Sequence, residues 1–240
     1  MKIIFLLAPS EWKNIWWNSY TEKLSFNFSK PTEISHNVTE KDLKCKWTRF
    51  DEGLELNRNL DKWPFLEAIH RYSGVVFNAI DYKWMSESGK NFFEDHVFIL
   101  SGMYWKLHAL DNIWNYKLPI ETKWLYDFWW HKIALEIAKM KADYIVNLLP
   151  DSYAKLVWIW KSKKLEEIRN LYLWEKTKII NLHFLTEKDW KIVKLTHWVK
   201  KYRGEYLRNI CENNLTNYEQ FPWKIVKNWD VIDIDIIIKK

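Results

Sequence analysis

A basic cluster, Lys200, Lys201 and Arg203, leads into a helix-like stretch with Gly204 directly behind it. Lys and Arg neutralise phosphate, and glycine lets backbone N–H groups approach the same oxygens. The plain alternative is a solvated helix start. Glu11-Trp12-Lys13 follows an apolar strand-like run, the position where α/β proteins place ligand loops. Its plain alternative is a surface turn. Arg71 and Lys117 flank apolar segments and suit the walls of the same cleft, if they are not ordinary surface charges. The candidate phosphate-binding residues are Lys13, Arg71, Lys117, Lys200, Lys201 and Arg203, each with its plain alternative still open on residue type alone.

Catalytic patterns are scarce. No GxSxG, HExxH, GxxxxGK[ST] or GxGxxG occurs, even with every Trp read as Gly. Ser101 has no histidine in any recognisable activating pattern. His183 and His197 fall on adjacent candidate strands, but two ligands do not make a metal site. Asp233 and Asp235 alternate on one strand face, where solvated edge charges are the expected role. No metal ligand, cofactor or catalytic residue is assigned, and the reading leans away from an enzyme. Cys45 and Cys211 are too few for a disulfide framework or a zinc site, so a reducing cytosol is the default; exposed and acidic, either would be a peroxide-sensitive thiol.

The elements that must position these residues read as a mixed α/β (α+β) single domain over residues 1–240, with a central mixed β-sheet flanked by helices. Lys2–Ala8, Val75–Ile80, Val97–Leu100, Asn115–Leu118, Tyr144–Leu149, Lys178–Leu185, Lys191–Thr196, Lys224–Lys227 and Val231–Ile238 are strand-like. Glu11–Asn37 is polar and patternless, a long loop. Thr39 and Asp42 form a capping box that opens a charged helical stretch running to about Leu60. Pro64–Tyr72, Ser86–Asp95, Tyr126–Lys141 and Tyr202–Asn213 are helical. The net charge of +6 permits a polyanionic partner without demanding one. The apolar run Ile3–Ala8 is too short for a signal peptide, and no run spans a membrane. Nothing in the pattern fixes an oligomeric state.

The composition is odd in one respect: 18 Trp and 5 Gly, where average usage gives roughly 17 Gly in a chain this long. Several Trp stand where turns demand glycine. Asn228-Trp229 and Asp189-Trp190 lie between strand-like runs, where Asn-Gly and Asp-Gly are the usual hairpin turns. Trp16-Trp17 sits in a polar loop. One explanation is an aromatic-rich protein. The other is UGA codons that encode glycine in the source but are rendered here as tryptophan.

A family resemblance follows from several segments taken in order. MKIIFLLAPSEWK at Met1–Lys13 resembles the N-terminal strand and PSEGK loop of the YaaA-like peroxide stress family, with Trp12 in the glycine's place. RYSGVVF at Arg71–Phe77, with Asp81, is similar to that family's RY(T/S)GVxY…D segment. ILSGMYWKLHALD at Ile99–Asp111 resembles its LSGLYGxLRPLD signature, with Trp105 for Gly, His108 for Arg and Ala109 for Pro. Asn115–Leu118 matches PYRLE in part. Tyr126–Trp130 looks like YDFWG, which makes Trp129 a genuine tryptophan and Trp130 a displaced glycine. Asn147-Leu148 with Asp151-Ser152-Tyr153 resembles NLxSxEY, and Lys200–Gly204 resembles KKARG.

The resemblance implies a cytoplasmic protein of the oxidative-stress response that limits free intracellular iron. It also implies a positively charged cleft that binds double-stranded DNA, and a helix-hairpin-helix element placed loosely at Glu40–Leu60, with Gly53 and Trp47 as its hairpin glycines. The alternative is an enzyme acting on a nucleotide or other phosphate-bearing small molecule, with its site at Ser10–Lys13, Arg71, Ser101, Lys117 and Arg203. Converging Glu11, Lys13 and Arg203 in a closed pocket would favour the enzyme, and an open groove would favour DNA. A weaker option is direct iron sequestration, which needs three clustered ligands.

Overall fold

The computed structural model describes residues 1–15, 23–129, 132–157, 177–188, 190–195, 198–221, 224–227 and 231–238. Trp16, Trp17, Trp130, Asp189, His197, Asn228 and Trp229, singled out above, lie outside them.

The apolar run after Lys2 forms β1 (Ile3–Leu7), with all five residues buried. It pairs in parallel with β3 (Val97–Ser101) on one side and β6 (Tyr144–Leu148) on the other. β6 then pairs in parallel with β7 (Lys178–Lys188), and β7 with β10 (Val231–Ile238). Two antiparallel edges complete the path: β4 (Trp105–Leu107) on β3 and β9 (Lys224–Lys227) on β10. β8 (Lys191–Lys194) folds back on the far end of β7. The strand order is β4-β3-β1-β6-β7-β10-β9. This is the mixed α/β sheet expected from the sequence. A separate small ladder joins β2 (Leu66–Glu67) to β5 (Asn112–Ile113).

Between Phe28 and Asn59 the chain forms α1 (Ser29–His36), α2 (Glu40–Leu43) and α3 (Thr48–Arg58). The capping box is present: the Thr39 side chain accepts from the Asp42 N–H, and Asp42 accepts from the Thr39 N–H. α1 corrects the long-loop expectation for Glu11–Asn37. Its buried face is Pro31 and Ser35, too small and polar to register as a hydrophobic stripe.

Further corrections concern short apolar segments. Val75–Ile80 is a helix, α5, not a strand; α4 (Ala68–Arg71) precedes it. Gly74 is its N-cap at φ 117, and Phe77 and Ile80 are buried at helical spacing against α10 (Val199–Glu212). Packing there overrides the β preference of Val75 and Val76. Within Pro64–Tyr72, the expected single helix is a two-residue strand followed by α4. Asn115–Leu118 joins no sheet. The fully buried Asn57 of α3 takes the place of a neighbouring strand there: its amide donates to the Lys117 carbonyl and accepts from the Lys117 N–H, both at 2.8 Å. The remaining helices are α6 (Glu87–His96), α7 (Leu125–Trp129), α8 (Lys132–Lys139) and α9 (Asp151–Val157).

Nine non-glycine residues among those described have positive φ, and five are tryptophans: Trp47, Trp105, Trp124, Trp190 and Trp198, at φ 51, 59, 68, 62 and 66. Bulky side chains seldom adopt this backbone. Trp190 closes the tight β7–β8 hairpin, where Lys188 faces Lys191, and is 95% exposed. Trp105 holds the family signature's glycine position and has glycine's backbone. Trp129 differs. It is buried, its indole N–H donates to the Gly102 carbonyl at 2.6 Å, and Phe28 meets it edge-on at 5.4 Å.

Candidate functional site

Going from β1 to β3 the chain moves one way across the sheet, and β6 then takes the other side of β1. The crevice beyond the carboxyl ends of β1 and β6 is therefore a topological switch point, the place where open α/β sheets receive ligands. A cavity of about 380 Å³ lies there. Its floor is Leu7, Ala8, Leu148 and Pro150 from the strand ends. Its cationic wall is Lys13, Lys44, Lys117, Lys200 and Arg203, with Glu11, Glu121 and Tyr153 between them. Gly74 lets the α5 end approach: a Cβ there would lie 2.7 Å from Ser10 Oγ. A second cavity of about 620 Å³ opens toward α3 and shares Glu11, Trp12, Lys13, Tyr116 and Lys117 with the first.

Lys13 is held where the two cavities meet. Its backbone bridges to Tyr72, and Ser73 N–H donates to Trp12 O at 2.9 Å. The residue as a whole is half-buried, and its amine lies over Tyr116, 4.3 Å from the ring centroid, and over Tyr72 at 5.5 Å. It donates to Ser10 O at 3.0 Å. Burial pushes this amine down to about 7; Arg71 and Lys117 add to the effect and Glu11 opposes it. Behind the rings, the Tyr72, Tyr116 and Ser101 hydroxyls form a chain of 2.7 and 2.6 Å. Burial keeps both phenols protonated, pushing Tyr116 up to about 12.

Of the six expected phosphate-binding residues, four converge on the first cavity: Lys13, Lys117, Lys200 and Arg203. Arg71 lies behind the wall. It is wholly buried, and its guanidinium donates to the carbonyls of Asn14, Ile15 and Pro64, which fixes the loop carrying Lys13. Lys201 lines neither cavity and pairs with Glu205 at 3.4 Å, one turn along α10. Ser101 is fully buried, and its hydroxyl also accepts from the Met103 and Tyr104 N–H groups.

Lys44, Tyr116 and Tyr153 were not among the expected site residues, although Tyr116 and Tyr153 fall within the family-like segments. Lys44 ends α2 in the left-handed region and pairs with Glu121 at 2.9 Å, a placement set by the turn rather than by any local pattern. The segment expected for a helix-hairpin-helix holds α2, a turn and α3, but Gly53, expected as a hairpin glycine, lies inside α3 instead of in the turn. Trp47 stands at its hairpin-glycine position, 80% exposed with φ 51 and ψ −137. Gly53 makes room for Lys117, whose Cδ would sit 2.9 Å from a Cβ there. Cys45 Sγ accepts from Lys117 Nζ at 3.2 Å, whereas Cys211 is buried with its thiol pushed up. Among the described residues no three His, Cys, Asp or Glu side chains cluster as metal ligands; His183 contacts Asp233 at 2.8 Å. No helix among them is long and apolar enough to cross a membrane.

A family model described as "Peroxide stress protein YaaA" matches residues 3–229. The chain belongs to the YaaA peroxide stress family. Curated relatives carry the matching UPF0246 description. One from Fusobacterium nucleatum is 27% identical over 92% of this chain and 89% of its own length. One from Rickettsia bellii is 33% identical over 76% of this chain and 73% of its own. The YaaA match spans the whole first cavity, from Leu7 to Arg203.

Proposed function

We propose that this YaaA-family protein serves the cytoplasmic peroxide stress response by holding double-stranded DNA through its phosphates at the cationic cleft. The observation that carries the reading is the convergence of Lys13, Lys44, Lys117, Lys200 and Arg203, from four separate segments, at one sheet switch point. Phosphate contacts of this kind position a duplex without reading its sequence. The α2–turn–α3 unit borders the same cleft through Lys44. A lower level of free iron is the downstream effect expected from the family likeness; it needs no metal site in the chain.

The test is duplex affinity at two salt concentrations. With about four phosphates neutralised, raising salt from 50 to 200 mM weakens binding roughly 100-fold. Affinity that stays flat over that range overturns the reading.

One observation speaks for a second reading, a small phosphate-bearing ligand such as a nucleotide. The first cavity is concave, and Glu11, Lys13 and Arg203 all face into it. Titration with nucleoside phosphates separates the two. Saturable binding that survives 200 mM salt favours the small ligand; its absence leaves the duplex.

A further inference from the structure

The Lys13 amine has surroundings unlike those of a counter-charge. Its neighbours are two tyrosine faces, the Ser10 carbonyl, the cations Arg71 and Lys117, and the single carboxylate Glu11. No ion pair among the described residues includes it. Arg71 is committed to backbone carbonyls. Lys13 thus lines both cavities, with its amine buried and flanked by the cations Arg71 and Lys117; desolvation and a neighbouring cation are the two conditions that turn a lysine into a nucleophile, against the pull of the ring faces and the Ser10 carbonyl toward the charged form.

We propose that Lys13 condenses with the carbonyl of a phosphate-bearing aldehyde, whose phosphate is held by Lys117, Lys200 and Arg203. The proposal rests on the reading above only for the phosphate contacts; the amine chemistry stands on the surroundings of Lys13. The Nζ lone pair attacks the carbonyl carbon. The C–N bond forms, and the C=O pair moves to oxygen, which takes a proton. The resulting carbinolamine loses one water to leave an imine. One aldehyde and one amine give one imine and one water, with nothing oxidised or reduced.

An amine held at about 7 is half neutral at pH 7. An ordinary lysine is neutral at that pH in only about one molecule in three thousand. Glu11, Arg71, Lys117 and the two protonated tyrosines are the groups that set this balance from the adjoining segments. Two sources carry the required chemistry: a small phosphorylated aldehyde, or the ring-opened sugar left in a DNA strand by base loss.

The experiment traps the imine in the full-length protein. Pyridoxal 5′-phosphate is added as the small probe, sodium borohydride reduces the adduct, and peptide mass spectrometry locates it. The expected result is labelling at Lys13, favoured roughly tenfold or more over exposed lysines because the neutral fractions differ by about three orders of magnitude. Its yield rises with a midpoint near pH 7, and inorganic phosphate suppresses it.

A second arm uses duplex with one base-lost position. A borohydride-dependent covalent complex at Lys13 there, absent with intact duplex, assigns the DNA source. Trapping of the small probe alone assigns the small aldehyde. Lys13 left unlabelled in both arms, or labelled with a yield still climbing toward pH 10, overturns the proposal. Because the label is read in the unmodified chain, no variant has to fold; Lys13→Arg adds a check that the adduct disappears. Binding of intact duplex without borohydride separates the two readings. Binding without trapping sinks only the amine chemistry, and trapping without binding sinks only the duplex reading.

Discussion

At the scale of single residues, the Lys13 amine and the tryptophans make opposite demands on the fold. Burial lowers the Lys13 amine to about 7 from 10.5, so between those values the unfolded chain binds more protons than the folded one. Stability contributed at this position therefore rises with pH through that window, and the penalty is fully present below it. Urea unfolding at pH 6, 7.5 and 9 is expected to show wild type gaining on Lys13→Met as pH rises; a constant difference contradicts the shift. Among the tryptophans, Trp190 and Trp129 are the informative pair. Trp190 is exposed and strained, and Trp190→Gly is expected to stabilise by about 0.5–1 kcal/mol after glycine's added unfolded-state freedom is counted. Trp129→Ala is expected to lose about 3–5 kcal/mol, because a packed, hydrogen-bonded indole leaves a cavity. Thermal or denaturant unfolding reads both. At the gene, UGG codons at positions 105, 190 and 198 would rule out displaced glycines as the cause.

Between elements, two close approaches hold the cleft together. α10 carries Lys200 and Arg203 and crosses α5 at Gly204, where a Cβ would come within 2.4 Å of the Val76 carbonyl oxygen and 2.7 Å of Ala79 Cβ. Backbone cannot give way as a side-chain tip can. Gly204→Ala is therefore expected to destabilise by about 1–3 kcal/mol and to loosen the cationic wall, seen as a drop in both unfolding midpoint and duplex affinity. Asn57 fastens the Lys117 segment to α3 and also donates to Ser35 O at 3.0 Å. Asn57→Ala leaves three buried backbone groups without that partner, at about 2–3 kcal/mol, and duplex binding should fall with it. An unchanged unfolding midpoint would show that water replaces the amide. Neither contact shows in the sequence. Gly204 reads there as a phosphate approach but serves helix packing, and Asn57 reads as one polar residue in a charged helix.

Across the whole molecule the net charge is a modest +6, yet five cations line one cavity. Arg203→Ala is expected to reduce the slope of log affinity against log salt by about 1, and Lys201→Ala to change it less. Equal effects would mean that the cleft does not select among the basic residues of α10. The sequence alone determined the core strands β1, β3, β6, β7 and β10, the capping box and the family, and it named four residues that the fold brings to one cavity. Continuous or alternating apolar runs, cap chemistry and contiguous motifs are local properties, legible without a partner segment. Tertiary structure alone decided that Val75–Ile80 is a helix, that Arg71 braces a loop from behind, and that Lys13 faces two tyrosine rings. Those outcomes depend on which distant surface arrives opposite: α10 against Val75–Ile80, the carbonyls of Asn14, Ile15 and Pro64 around Arg71, and the Asn115–Leu118 segment beside Lys13. Burial, and with it the charge state of that amine, exists only once the chain has closed around it.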